Sequence, residues 1–178
     1  MITRLRHLRL ALTCLPGLIT SRRRRMLLAE MRALCRDLPH LLQQPIPQAM
    51  ARLTPPPQTA GPPSNPQIVR KLADLAALLE RRSPLGLCLR RSLVRYHYLR
   101  RLNVPVVVRF GAKFVPKHGP KHGPKHGPKH RPGNEEKDIT GHAWLTLDGR
   151  PYFEDEENWR DFTVMISWPE PSSSQIER

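Results

Sequence analysis

Apolar residues recur at helical spacing in three stretches of the chain, residues 22–42, 66–79 and 86–102. In the first stretch, Arg and Glu separate the apolar positions, which predicts an amphipathic helix. The second stretch begins with Asn65-Pro66, a favourable pair for the N-cap and first turn of a helix. The pattern therefore predicts three helices, with only weakly periodic segments between them.

Shorter runs of β-branched and alternating residues follow these helices. Residues 106–110 predict a buried strand, and residues 159–166 suggest another. Between them, residues 142–155 contain two runs joined by Asp148-Gly149, which is a strong hairpin signal. Helices followed by antiparallel strands predict an α+β fold, in which the third helix packs on a small antiparallel sheet.

Proline divides the chain into segments. Eight prolines fall between residues 45 and 66 without helical periodicity, which predicts a Pro-rich linker over residues 45–65. This linker would separate an N-terminal basic helical extension, residues 1–44, from one domain over residues 66–168. Residues 169–178 are predicted to be a tail.

A tandem repeat interrupts the predicted domain. Residues 116–131 consist of three PKHG units and a final PKHR. Because proline at every fourth residue excludes both a helix and a central strand, we predict an extended, solvated loop. Its four histidines are not preorganised as metal ligands. We therefore expect no functional metal site, and the sequence indicates no cofactor.

The charge is distributed unevenly along the chain. Residues 1–133 hold 26 basic and four acidic residues, a net of about +22, whereas residues 134–178 hold four basic and 11 acidic residues, about −7. A basic segment favours an anionic partner. However, the sequence contains no RNP aromatic pattern, no zinc-finger spacing and no KH-type loop, so we do not expect nucleic-acid binding.

The N-terminal apolar run, residues 10–20, is broken by Pro16 and is too short to span a membrane. It also lacks the small-residue cleavage site of a signal peptide. The three cysteines, Cys14, Cys35 and Cys88, are widely spaced, which favours a reducing compartment. We therefore expect a cytoplasmic protein, with peripheral membrane contact through the N-terminal helix as an open alternative.

Two residues suggest nucleophilic chemistry. Cys88 is predicted in the first turn of the third helix, where the helix dipole stabilises a thiolate and Arg90 and Arg91 add positive field. His142 heads a predicted strand and can serve as the base. Trp144 shares the strand face of His142 and either walls the cleft or packs in the core. Each residue taken alone is equally compatible with a packing role.

The hairpin supplies a third candidate. If Asp148 and Gly149 are the two loop residues, His142 lies opposite Asp155. Opposed side chains are roughly 4.5–5.5 Å apart at Cβ, close enough for a carboxylate to orient an imidazole. We therefore predict Asp155 as the third member of a triad. A one-residue bulge would give this place to Glu154 instead.

Two motifs carry a family resemblance: Gly-Leu-Cys-Leu-Arg-Arg-Ser-Leu at residues 86–93 and His-Ala-Trp at residues 142–144. In this order, over about residues 66–168, they resemble the transglutaminase-like domain of lasso-peptide leader peptidases. The resemblance implies a papain-like cysteine peptidase fold in which Cys88, His142 and an Asp just after the hairpin form the triad.

The resemblance also implies a function and partners. The substrate would be a ribosomally made precursor peptide whose leader is removed, and a cyclase resembling asparagine synthetase would then close the ring. Residues 1–65 do not look like the winged leader-recognition domain that some relatives carry, so recognition would come from a separate protein. Two alternatives stay open: an amidase or acyltransferase with the same triad, and a non-catalytic, basic binding module.

Overall fold

A computed structural model describes residues 2–56, 65–116 and 137–170 of the chain. It contains five helices and a four-stranded antiparallel sheet packed against them, which confirms the predicted α+β class. The helices are α1 (Ile2–Thr20), α2 (Arg22–Leu41), α3 (Ile46–Leu53), α4 (Pro66–Leu79) and α5 (Leu87–Arg101). The strands are β1 (Val107–Pro116), β2 (Lys137–Leu147), β3 (Arg150–Pro151) and β4 (Thr163–Trp168), with a 3-10 helix over Glu156–Asn158.

The three helices predicted from hydrophobic periodicity are confirmed as α2, α4 and α5. The predicted N-cap of α4 is also confirmed, since the Asn65 side chain accepts a hydrogen bond of 2.8 Å from the Gln67 N–H. Most of the PKHG repeat, and the tail after residue 170, lie outside the described residues.

Helices α2, α4 and α5 share one hydrophobic core with the inner face of the sheet. Its fully buried side chains include Met31 and Leu38 on α2, Leu72 on α4 and Leu93 on α5. Each such side chain contributes roughly 1.5–3 kcal/mol of burial free energy. Residues 22–41 are therefore part of this core, although the sequence suggested that residues 1–44 form a separate extension.

Helix α3 lies inside the stretch predicted as a Pro-rich linker. Pro45 is its N-cap, and the next proline falls in the first turn, where a missing N–H costs nothing. Ala49, Met50 and Leu53 of this helix are buried. These prolines thus start a helix. The number of prolines alone predicted a linker here, because it takes no account of where each proline lies in a helix.

Thr54, just after α3, connects three elements. Its hydroxyl lies 2.8 Å from the Tyr96 hydroxyl on α5 and accepts a 3.0 Å hydrogen bond from the indole N–H of Trp168 on β4. These contacts hold α3 against the helix and the edge strand that frame the core.

The sheet has the strand order β3-β2-β1-β4. The predicted hairpin is confirmed: Leu147 pairs with Arg150 across Asp148 and Gly149, which have φ of 50° and 76° as a type I′ turn requires. Strand β3 ends at Pro151, one more cross-strand hydrogen bond joins the Tyr152 N–H to the Leu145 carbonyl at 2.8 Å, and Phe153 follows with φ of 57°. The chain therefore leaves the hairpin before it reaches the predicted third triad residue.

Within the described residues, no helix is both long enough and apolar enough to cross a membrane.

Candidate active site

Cys88 lies in the first turn of α5, as predicted, and is half-buried. A hydrogen bond with His142 lowers the pKa of its thiol, and burial opposes this effect. Backbone hydrogen bonds from Ala143 and Leu89 lower the pKa further. The net shift is downward, so the surroundings favour the thiolate, which is the nucleophilic form of cysteine.

His142 on β2 is brought to Cys88, so the structure unites the two residues singled out in the sequence. The hydrogen bond with Cys88 and a second interaction with Glu154 raise the pKa of the imidazole to about 9, against the effect of burial. His142 Nε2 lies 3.4 Å from Glu154 Oε1, and the side chain is 12% exposed. This environment favours the imidazolium.

The carboxylate that meets His142 belongs to Glu154, one residue before the predicted Asp155. The rule that placed Asp155 opposite His142 requires continuous strand pairing. That pairing ends with the hydrogen bond from the Tyr152 N–H to the Leu145 carbonyl, and the positive φ of Phe153 then turns the chain. Glu154 is thereby directed inward with its side chain only 3% exposed, while Asp155 occupies the N-cap position of the 3-10 helix and is exposed.

Two arginines of α5 hold Glu154 in place. Arg91 donates to both of its carboxylate oxygens, at 2.7 and 3.1 Å, and Arg95 lies 3.6 Å away. Arg95 is itself held by two 2.7 Å hydrogen bonds to Asp74 on α4. Although burial favours the neutral acid, the contact with His142 and these guanidinium charges lower the pKa of Glu154. The carboxylate is therefore fixed and charged.

Other residues of the first motif join the helix to its neighbours. The Ser92 hydroxyl donates a 2.8 Å hydrogen bond to the carbonyl of Ala143, the residue after His142. Arg90, which we expected to add field at Cys88, is buried and donates to carbonyls at the end of α4 and in the following loop: Ala77, Glu80 and Leu85. The motif thus fixes the position of α5 as well as supplying the thiol.

Two aromatic rings pack against the imidazole of His142. Trp144 stacks at a centroid distance of 5.9 Å, and Phe162 lies at 5.2 Å. Trp144 is 2% exposed, so it packs in the interior behind His142. No sequence pattern connects Phe162 with His142, because this contact depends on how the segment before β4 returns to the sheet.

Gly111 on β1, opposite His142 in the sheet, is a further residue that the sequence did not reveal. A Cβ atom at this position would lie 2.8 Å from the Trp144 ring and 3.0 Å from the Thr163 carbonyl oxygen. Glycine therefore leaves the space in which Trp144 supports His142.

We expect Gly111→Ala to destabilise the fold by roughly 1–3 kcal/mol, because the buried Trp144 ring must shift to admit the methyl group. Since that ring stacks on His142, alkylation of Cys88 should also slow. Thermal denaturation and the rate of iodoacetamide labelling measure the two effects. Gly141→Ala is a matched control, because the nearest atom to a Cβ there is 3.9 Å away. Equal behaviour of the two variants would contradict this role for Gly111.

The thiol, the imidazole and the carboxylate all face one open cavity of about 870 Å³. Helix α1 forms part of its wall through Arg9, Leu10 and Thr13, so the N-terminal segment contributes to the site. Within the residues described, no group of three or more His, Cys, Asp or Glu side chains is arranged to hold a metal ion. The four histidines of the repeat lie outside that part of the chain.

No protein-family model, curated protein or solved structure matches this chain.

The three cysteines are expected to differ strongly in reactivity. Cys14 and Cys35 are buried, and burial raises the pKa of both thiols, to about 11 for Cys35. Cys88 is more accessible, and its pKa is lowered. Near neutral pH, iodoacetamide should therefore label Cys88 at least about tenfold faster than the other two, as measured by peptide mass spectrometry. Equal labelling in the folded protein would show that Cys88 carries no special thiolate character.

Proposed function

We propose that this protein is a cysteine peptidase that removes the leader from a ribosomally synthesised, lasso-type precursor peptide. The observation that supports the proposal is that the side chains of Cys88, His142 and Glu154 lie together at one cavity. A thiol with a lowered pKa, an imidazole and an orienting carboxylate are the parts that acyl transfer requires. The motifs at residues 86–93 and 142–144 supply the substrate class.

In this mechanism the Cys88 thiolate attacks the carbonyl carbon of the scissile peptide bond. The C–N bond then breaks, and His142 gives its proton to the leaving amine. Water attacks the resulting thioester, His142 takes up a proton, and the acid is released as Cys88 is regenerated. Because Nε2 of His142 is directed at Glu154, Nδ1 is left for the thiol and for the leaving group. Glu154 fixes this orientation and stabilises the imidazolium.

The developing oxyanion requires N–H donors close to the sulfur. Gly86, the N-cap of α5, makes no side-chain capping hydrogen bond, so the N-cap residue does not occupy the first-turn N–H groups. Cys88 belongs to that turn. We therefore assign the oxyanion site to backbone N–H groups at the start of α5, where the helix dipole also favours negative charge.

The partners follow from the same proposal. The precursor peptide is the substrate, a separate protein supplies leader recognition, and a cyclase resembling asparagine synthetase uses the product. The cavity of about 870 Å³ is large enough for a short extended segment of peptide. We place leader cleavage in the cytoplasm, where the cysteine of such an enzyme stays reduced.

The test is to incubate the protein with a precursor peptide and a recognition protein encoded beside its gene. Mass spectrometry should show separate leader and core fragments. Added hydroxylamine distinguishes the alternative acyltransferase activity, since a long-lived thioester would yield a hydroxamate of the leader in place of the acid. An intact precursor under conditions in which Cys88 is labelled selectively would overturn the peptidase proposal.

A further inference from the structure

Three cationic side chains line the cavity in addition to those that hold the carboxylates. Arg70 and Lys71 project from α4, and Arg9 projects from α1. None of the ion pairs found among the described residues involves any of the three. A cleft lined by an excess of one charge concentrates ions of the opposite charge.

The carboxylates at the same cavity do not remove this excess. Asp74 is bound to Arg95, and Glu154 is bound to Arg91, so these pairs balance one another. Asp155, which is exposed, is the remaining acid in the lining. The cavity beside Cys88 therefore carries more positive than negative charge.

The guanidinium of Arg70 has a donor group that lacks an acceptor within the described part of the chain. Its Nε atom is buried and has no hydrogen-bond partner among the described residues. Its guanidinium carbon lies 4.7 Å from the centre of the Phe153 ring, so the aromatic face holds the group in the cavity wall. A buried donor without an acceptor is costly. An acceptor on a bound molecule would remove that cost.

We propose that Arg70, Lys71 and Arg9 form an anion subsite that binds an Asp or Glu side chain of the substrate peptide near the scissile bond. A guanidinium matches a carboxylate in geometry, and a lysine beside it adds charge. The subsite rests on the proposed function, because it lies in the same cavity as Cys88. It would give the peptidase a preference for acidic residues near the scissile bond, which the motifs at residues 86–93 and 142–144 do not specify.

Two alkylating reagents of nearly equal shape test the subsite without a peptide substrate. In each, the Cys88 sulfur forms an S–C bond and iodide leaves, but iodoacetate carries a carboxylate and iodoacetamide is neutral. The ratio of their rates at Cys88 should fall about three- to tenfold in Arg70→Gln/Lys71→Gln, since both substitutions remove a positive charge from the wall of the cavity that Cys88 faces.

The matched control is Arg81→Gln/Arg82→Gln, which removes the same charge from two exposed residues in the turn after α4. Its ratio should stay within about 1.5-fold of wild type, since exposed charges at a distance are screened. Because Arg70 is half-buried, Arg9→Gln/Lys71→Gln provides a second variant that leaves it in place, and its ratio should fall at least about twofold. Circular dichroism checks that each variant is folded. An equal ratio in folded cavity variants and control would overturn the subsite.

A second measurement uses the precursor itself. Changing the acidic residue nearest to the observed cleavage site to its amide should raise KM for the wild type by about three- to tenfold, and by much less for Arg70→Gln/Lys71→Gln. The two proposals fail differently. Cleavage with an unchanged alkylation ratio removes the subsite and leaves the peptidase, whereas a changed ratio without cleavage removes the peptidase and leaves an anion site.

Discussion

Cys88→Ala is expected to abolish precursor cleavage, with a fall in rate of at least about four orders of magnitude, or about 5.5 kcal/mol in activation free energy. The reason is that the covalent thioester cannot form without the sulfur, and no other thiol can replace it. Cys14 and Cys35 are buried, and neither lines the cavity. Cleavage products are measured by mass spectrometry over a long time course.

The fold should survive this change, since Cys88 is half-buried and its side chain is small. We expect a change in stability of less than about 1 kcal/mol, which thermal denaturation measures. Cys14→Ala removes a buried thiol of α1 that does not line the cavity, and it serves as the control, with cleavage close to wild type. A folded Cys88→Ala protein that cleaves at the wild-type rate would exclude covalent catalysis by this residue.

Glu154→Gln is expected to lower kcat/KM by about 10²–10³-fold, while Asp155→Asn should change it by less than about threefold. The two acids are adjacent in sequence, but Glu154 Oε1 lies 3.4 Å from His142 Nε2, whereas Asp155 is exposed. The amide keeps the shape of Glu154 and removes its charge. Steady-state kinetics on the precursor compares the two variants.

The pH profile separates an orienting role from a purely structural one. Glu154 helps to raise the pKa of His142 to about 9, because a carboxylate favours the imidazolium. In Glu154→Gln that pKa falls, so the imidazolium is lost at lower pH and the alkaline limb of the activity profile should move toward neutrality. A large loss of activity in Asp155→Asn, with Glu154→Gln near wild type, would return the role to Asp155.

Glu154→Gln also tests the arginine network. Arg91 and Arg95 lie beside this carboxylate in a partly buried place. In the variant Arg91 loses its counter-charge, while Arg95 keeps its ion pair with Asp74. We expect a loss of roughly 1–3 kcal/mol in the free energy of unfolding, since the amide oxygen still accepts a hydrogen bond. Arg91→Lys should lose less, because it keeps the charge and loses the two-point geometry.

Much of the fold follows from local rules. Helical periodicity located α2, α4 and α5, and Asp148-Gly149 located the hairpin with its register. These predictions succeed because caps, turns and hydrophobic faces are determined by residues close together in sequence. Cys88 and His142 could be singled out for the same reason: each occupies a locally recognisable position.

The remaining parts of the site depend on contacts between distant segments. The positive φ of Phe153 turns the chain, so that Glu154 and not Asp155 meets His142. A phenylalanine side chain does not predict a positive φ. Arg91 was predicted to add positive field at Cys88 because the two residues are close in sequence. Its hydrogen bonds instead go to Glu154, 63 residues away. Gly111 matters because of the Trp144 ring across the sheet. Such roles emerge only from tertiary packing.

The antiparallel pairing of β1 with β2 has a consequence for the PKHG repeat. Pro116 pairs with Lys137, and from there the ladder runs to Gly111 and His142 and beyond. Units can therefore be gained or lost between the two strands without changing the register that places His142. The free energy of loop closure changes slowly with length, by about 0.2 kcal/mol for one added unit. A chain with one PKHG unit more or fewer is thus expected to keep the same geometry at the candidate site.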